Sequence, residues 1–321
     1  MRLRLRAFAL ALIGISLATS ARAEDAYPSH LVRIVLPTAS GSTTDTLARL
    51  IADRLSHIWS QSVIIENIPG GAMNVGATHV ARATPDGYTL MVAPPSPLTI
   101  NDLLYRDLSY DPHKFLAVAL LAKIPNALAV RNDLPAKSVQ ELIAYAKANP
   151  GKLTFGSQGV GSTAHLSGSQ LEVLAGIKMV HVPYRGAVPA LNDVIAGRID
   201  MFFDTLTTSV PLWRGGKLRI LAVASPERAQ AVPELPTIAE SGVPGFRSIT
   251  WFALMAPPGT PAAIVDKVNR DVNTALHDLA DKLTAIRLEP MPGTPVDAGR
   301  FIADETALWG RVIRESKIEP Q

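Results

Sequence analysis

From Leu31 onward the chain alternates short apolar runs with amphipathic segments of helical period, and this alternation limits the possible folds more than any other feature. "LVRIVLP" is followed by Leu47, Leu50, Ile51, Leu55 and Ile58 at helical spacing over 44–59, then by "SVIIEN": strand, helix, strand. A helix over about 74–83, the Pro85-Asp86-Gly87 turn and "YTLMVA" continue the series. A second series starts near Asn126 with "NALAVR" and a helix opened by Ser138 and Glu141 at capping-box spacing. It continues through "KLTFGS", a helix over 162–175, "KMVHVPY", a helix over 188–196, "RIDMFF" and "LRILAVA". Strands that alternate with helices imply an α/β fold with mostly parallel sheets and flanking helices. The last quarter reads as an extended "PGFRSITWFALMAPPGTP", a helix over 261–283 and a C-terminal helix over 296–315. With no third strand series to cover, these helices are expected to return to the first domain. The chain would then cross between domains near 125 and near 246, leaving a cleft between them.

The opening MRLRLRAFALALIGISLATSARA carries Arg2, Arg4 and Arg6, an apolar run from Ala7 to about Ala18, and Ala21-Arg22-Ala23. These are the three parts of a secretory signal peptide, expected over 1–23 and cleaved after Ala23. The apolar run is shorter than the roughly 20 residues that cross a bilayer. Without this segment, which holds four arginines and no acid, the formal charge of +3 becomes −1, with 27 basic residues against 28 acidic. No basic patch remains, so nucleic acid is not an expected partner. The absence of cysteine excludes disulfides, thiol nucleophiles and thiolate metal sites.

"GSQGVGSTAHL", 156–166, admits three readings. Gly156, Gly161 and Thr163 approximate a triphosphate loop, but Ser162 stands where the phosphate-binding lysine is needed. Gly159, Gly161 and Ala164 imitate a dinucleotide fingerprint, but the ribose-binding acid at the next strand end is absent and Arg185 stands nearby. The third reading is an anion cradle: Gly159 and Gly161 let backbone approach a ligand, and the helix from Ser162 offers free N–H groups. "PTASGSTTD", 37–45, repeats the device, with Asp45 expected to cap and orient its helix. Asp204 in "MFFDTL" ends a strand at the same sheet edge and reads equally as a turn residue, a cap or a ligand contact.

Catalytic patterns are poor. There is no Gly-x-Ser-x-Gly elbow, and His30, His57, His79, His113, His165, His181 and His277 lack metal-ligand spacing. Ser162, His165 and Asp204 can be written as a hydrolase triad, but residues three apart on one helix turn are usually neighbours rather than nucleophile and base. No catalytic, metal or cofactor site is expected.

Seven segments in order carry a resemblance over nearly the whole mature chain. They are "YPSHLVRIVLPTASGSTTDTLARLIADRL", "VIIENIPGGAMNVGATHVARATPDGYTLM", "GSQGVGSTAHLSG", "VPYRGAVPALNDVIAGRIDMFFD", "GKLRILAVASPER", "ELPTIAESGVPGF" and "WFALMAPPGTP". With them the chain resembles the periplasmic solute-binding receptors of tripartite tricarboxylate transporters, the Bug family. The resemblance implies a two-lobed Venus flytrap, with 24–125 plus 246–321 as lobe 1 and 126–245 as lobe 2. It further implies a ligand carboxylate held by backbone N–H groups, small hydroxyls and waters. The first-lobe loop is then Ser40, Gly41, Ser42, Thr43, Thr44 and Asp45, with Ser96 in another cleft-facing loop. The second-lobe loop supplies Ser157, Gly159, Gly161, Ser162, Thr163 and His165, with Tyr184, Arg185, Gly186 and Asp204 at adjoining loop ends. The family commonly has Pro-Gly-Gly before the Thr-Asp pair, whereas Ser40 and Ser42 flank Gly41 here. The implied partners are a small organic carboxylate (a di- or tricarboxylate, an acidic amino acid or an aromatic acid) and membrane permease subunits, with the receptor a monomer in the periplasm. A ligand sensor feeding a signalling partner is the alternative, with an exported hydrolase behind it.

Overall fold

The computed structural model describes residues 27–320. The leader expected over 1–23 lies outside them. In chain order the first elements are β1 (Val32–Leu36), α1 (Thr43–Trp59), β2 (Val63–Asn67), α2 (Asn74–Ala81) and β3 (Thr89–Ala93). A single π-helical turn, Ser96–Ile100, leads into the short α3 (Asn101–Leu104) and then β4 (Leu116–Val130). The second series is α4 (Val139–Ala148), β5 (Thr154–Ser157), α5 (Thr163–Ala175), β6 (Val180–Pro183), α6 (Ala187–Ile195), β7 (Met201–Thr205), α7 (Leu206–Arg214) and β8 (Arg219–Val223). The chain closes with β9 (Ile249–Ala256), α8 (Ala262–Asp278), α9 (Ala280–Ala285), β10 (Glu289–Pro290) and α10 (Pro295–Glu315).

The helices start where the side chains can hold them. Ser42 accepts from the Asp45 N–H, Ser138 from Glu141 and Ser162 from His165, each satisfying one of the first-turn donors that a helix leaves open. Thr294 and Asp297 close a full capping box ahead of α10, with Pro295 at its first position. Each long helix buries one stripe, as α1 does with Leu47, Ala48, Ile51, Ala52 and Leu55.

The strands lie in the order β2-β1-β3-β9-β4-β7-β5-β6, with β8 and β10 also on β4. β4 belongs to both lobes. Leu116 to Pro125 pairs with β9, whereas Asn126 to Val130 pairs with β7 and β8. β1 is parallel to β2 and β3, and β9 is antiparallel to both β3 and β4, so β4 runs in the direction of the first series. β7 is antiparallel to β4 and parallel to β5, which is parallel to β6. The second series therefore runs the opposite way, and the C-terminal ends of both series converge on the place where β4 changes partners. That orientation puts the βα loops of both lobes on one shared cleft.

Several elements depart from the sequence expectation. β4 begins ten residues before the expected start at Asn126. Lys123 and Pro125 break its apolar pattern, and proline is rare inside a strand with partners on both sides. α7, with Pro211 inside it, was not anticipated, and the helix expected over 261–283 breaks at Leu279 into α8 and α9. The last-quarter helices pack on the first lobe, where Trp59 Nε1 of α1 donates to Asp271 of α8 at 2.6 Å. Trp309 of α10 is fully buried with Ile100 and Leu104 from the first lobe and Leu166 of α5 from the second.

Two glycines test this packing in opposite directions. A Cβ on Gly168 of α5 would lie 2.2 Å from a ring carbon of Phe155. Gly168→Ala is expected to cost about 1–3 kcal/mol, seen as a Tm lower by several degrees. Gly299 in α10 has open space around it. Gly299→Ala is expected to raise stability by about 0.5–1 kcal/mol in a denaturant melt.

Candidate functional site

The first-lobe loop is organised by the Asp45 carboxylate. It accepts from Arg49 Nε and Nη2 at 3.0 and 2.9 Å, Gly41 N–H at 3.0 Å, Asn67 Nδ2 at 3.1 Å and Ser40 Oγ at 3.4 Å. Burial alone would raise its pKa, but the Arg49 hydrogen bonds, the Gly41 N–H and the Asn67 amide outweigh it and bring it down to about 2. Ser42 Oγ donates to Thr38 Oγ1 at 3.2 Å. Ser40 and Ser42, the two hydroxyls that flank Gly41, are thus spent on building the loop. Thr43 and Thr44 supply the first-turn N–H groups of α1 that the helix cannot satisfy from within.

The second-lobe loop has the same plan with different parts. Ser162 Oγ donates to the Gly159 carbonyl at 2.7 Å and accepts from His165 N–H at 3.3 Å. Gly159 and Gly161 adopt φ of +126° and +79°, conformations that glycine alone takes without penalty. Gly159 N–H donates to Ser157 Oγ at 3.0 Å, and Gly161 N–H to His165 Nδ1 at 3.2 Å. Thr163 and Ala164 then provide the unsatisfied first-turn N–H groups of α5.

The lobes touch through this loop. Ser96 Oγ donates to the Gly161 carbonyl at 3.3 Å, and a Cβ on Gly161 would lie 3.0 Å from Leu104 and 3.6 Å from Asn101 Oδ1. Glycine here admits the opposite lobe. Behind the contact lies a buried polar cluster at the two crossings. Asn126 Nδ2 donates to Ser248 Oγ at 2.9 Å, Thr250 Oγ1 donates to Asn126 Oδ1 at 3.0 Å, and Ser248 Oγ meets Ser167 Oγ of α5 at 2.6 Å. Thr163 Oγ1 lies 3.5 Å from Thr250 Oγ1.

The remaining expected residues divide. Tyr184 donates its hydroxyl to Asp193 of α6 at 2.7 Å, Arg185 is exposed, and Gly186, at φ +125°, opens α6. Asp204 is 1% exposed and accepts from the Thr208 hydroxyl and, at 2.7 Å, from Ser209 Oγ of α7. Burial pushes its pKa up to about 6, partly offset by those hydroxyls. Its carboxylate is engaged with two side-chain hydroxyls of α7, a helix that starts after Thr205 without a side-chain cap.

Asn101 was not anticipated. It is 1% exposed, and its Nδ2 donates to the Ala72 carbonyl at 2.9 Å and to Asn74 Oδ1 at 2.6 Å. Ala72 and Met73 both lie in the left-handed region, at φ 52° and 77°, a costly arrangement that Asn101 helps to hold. Its Oδ1 is buried without a protein partner. "SPLTINDLLY" contains no glycine, cap or charge pattern that would mark this asparagine.

A groove of about 620 Å³ lies elsewhere, lined by Phe115, Leu116, Val265 and Ile302. It sits at the start of β4, away from the converging strand ends, and its walls are mostly apolar. Among the described residues no group of three or more His, Asp or Glu side chains could hold a metal ion, and no helix is long and apolar enough to cross a membrane.

Proteins of the same fold are known. Residues 47–318 match the model of the tripartite tricarboxylate transporter family receptor. The chain belongs to that family. Protein BugT of Bordetella pertussis is 34% identical over 315 residues, covering 96% of this chain and 97% of BugT. The structure of an R. palustris protein with adipate is 40% identical, with a TM-score of 0.86 over 92% of this chain and 100% of that one. MatC from Rhodopseudomonas palustris with bound malate is 35% identical, with a TM-score of 0.81 over 89% of this chain and 100% of MatC. The receptor shares their α/β two-lobed architecture.

In the receptor, the Asp45 contribution has a defined pH window. Because the folded pKa is depressed, its stabilisation is present above the unfolded value near 3.8 and is lost as pH falls toward about 2. Asp45→Asn is expected to lower the Tm at pH 7. The gap from wild type should shrink steadily in melts taken from pH 4 down to pH 2.

Proposed function

We propose that this receptor is exported to the periplasm, where it captures a small organic carboxylate in the interlobe cleft. The closed, loaded form then delivers its ligand to the permease subunits of a tripartite tricarboxylate transporter. In this reading lobe 1 comprises 24–125 and 246–321, lobe 2 comprises 126–245, and the receptor acts as a monomer. The observation that carries it is the convergence of α1 and α5. The helices come from opposite lobes and present the open N–H groups of Thr43, Thr44, Thr163 and Ala164 at facing strand ends. Such helix starts favour an anion by hydrogen bonding and by their dipoles. The adipate and malate held by two similar proteins are carboxylates of the class this cradle suits.

A micromolar dissociation constant corresponds to about 8 kcal/mol. Four to six charge-assisted hydrogen bonds at roughly 1.5–3 kcal/mol each supply this after the costs of association are subtracted. No buried cation is required. Closing over the ligand then depends on the lobes meeting at Gly161, and an open state that cannot close lowers the apparent affinity in proportion.

Thermal-shift screening against small carboxylates, amino acids, sugars and nucleotides tests this reading directly. A ligand at about 100 times its dissociation constant adds roughly 2.7 kcal/mol, a shift of several degrees. Carboxylates alone should stabilise the protein; stabilisation by nucleotides or sugars alone contradicts the cradle. By calorimetry, Gly161→Val should lower carboxylate affinity more than Arg185→Ala, because the valine side chain both strains the positive φ and meets Leu104. Equal affinities for wild type and Gly161→Val would falsify the closure step.

A further inference from the structure

Beside the second-lobe loop, a buried and a partly buried histidine stack face to face. The rings of His165 in α5 and His181 in β6 lie 4.0 Å apart at 20°, with Phe155 of β5 stacked 5.0 Å from His181. His165 is 7% exposed. Neither ring meets a carboxylate partner: His165 Nδ1 takes the Gly161 N–H, and His181 Nε2 lies 2.6 Å from Ser157 Oγ. Ser157 Oγ in turn accepts the Gly159 N–H and lies 3.0 Å from the Gly159 carbonyl.

The proton count fixes the protonation state of His165. A ring nitrogen that accepts from a backbone N–H carries no proton, so His165 is neutral with its proton on Nε2. For Ser157, every atom is satisfied when His181 Nε2–H donates to Oγ and the Oγ–H donates to the Gly159 carbonyl. Burial first, and then the neighbouring His181, push the His165 pKa down to about 3; burial takes His181 to about 4. Both rings are uncharged over the range in which such a protein works.

We infer that His165 and His181 are positioning residues, an uncharged stacked pair that holds Gly161 directly and Gly159 through Ser157, and that His165 does not touch the ligand. This rests on the carboxylate-binding reading above and sharpens it. With the N–H groups of Gly159 and Gly161 already taken, neither glycine amide is free for a carboxylate, while Thr163 and Ala164 at the start of α5 keep theirs open. The glycines supply the shape of the loop and the histidines hold that shape before a ligand arrives, which lowers the ordering cost of binding.

The test compares wild type with His165→Phe, which keeps a stacking ring but has no acceptor, and with His165→Asn, whose Oδ1 restores an acceptor near the Nδ1 position. Three quantities are read: the ¹⁵N signals of the His165 ring, hydrogen exchange of the Gly161 amide, and affinity for malate and adipate. The expected results are an Nε2–H tautomer in wild type, Gly161 exchange faster by on the order of tenfold in the Phe variant, and a comparable loss of affinity. The Asn variant should recover both. A wild-type ring protonated on Nδ1, or Gly161 exchange unchanged in the Phe variant, overturns the inference. If wild type binds neither probe, the carboxylate reading suffers alone, because Gly161 exchange still decides the role of His165. Should the Phe variant fail to fold, the wild-type tautomer decides it.

Discussion

Strand β4 is the member on which the rest of the architecture depends. It passes from one lobe to the other and exchanges β9 for β7 and β8 between Pro125 and Asn126. Since β9 runs against it in one lobe and β7 in the other, the two parallel series must point their C-terminal ends at each other. Every loop that follows a strand in either series then opens onto the same cleft. The crossings are held by hydrogen bonds as well as by strand pairing. Asn126 and Ser248, one from each crossing, bond to each other, and Ser248 bonds to Ser167 of α5. All three side chains are nearly or fully buried, where an unmet hydrogen bond is expensive. The helix that presents the second-lobe loop is therefore fastened to the pivot about which the lobes would move.

In the proposed cradle an anion would be held without a buried cation. Arg185, in the loop after β6, is exposed, and Arg49 is committed to Asp45. The positive end of the proposed site is made of backbone instead. Such donors are fixed in place by the helices that carry them and have no side-chain freedom to lose on binding. The cost appears as local constraint: positive φ at Gly159 and Gly161, left-handed Ala72 and Met73, and the buried Asn101 that braces them. The orphan Asn101 Oδ1 beside Gly161 is an acceptor suited to a water or a ligand hydroxyl.

The parts of this molecule that were legible in the sequence are those written in local chemistry. Apolar period located β1, β2, β3 and β5 to β8, and Ser42, Ser138 and Ser162 marked helix starts because a cap works within one turn of its own residue. Asp45, expected to cap and orient its helix, leaves the cap to Ser42 and organises the loop ahead of the helix instead. What escaped depended on distant partners. The first ten residues of β4 are masked by Lys123 and Pro125, which are tolerated only because of what lies beside them. Asn101, Asn126, Ser167 and Ser248 are ordinary residues by spacing, and they acquire roles from neighbours tens of positions away. His165 was identified as a member of the loop, but its bond to Gly161 depends on a backbone geometry that no spacing rule encodes.

Backbone N–H groups at two facing helix starts are proposed to hold the ligand carboxylate. A crystal structure of the receptor grown with malate or adipate tests it most directly. Carboxylate oxygens within about 2.7–3.2 Å of the N–H groups of Thr43 or Thr44 and of Thr163 or Ala164 are the predicted result. A carboxylate paired with the Arg185 guanidinium, with those N–H groups facing only water, would rule out the backbone cradle.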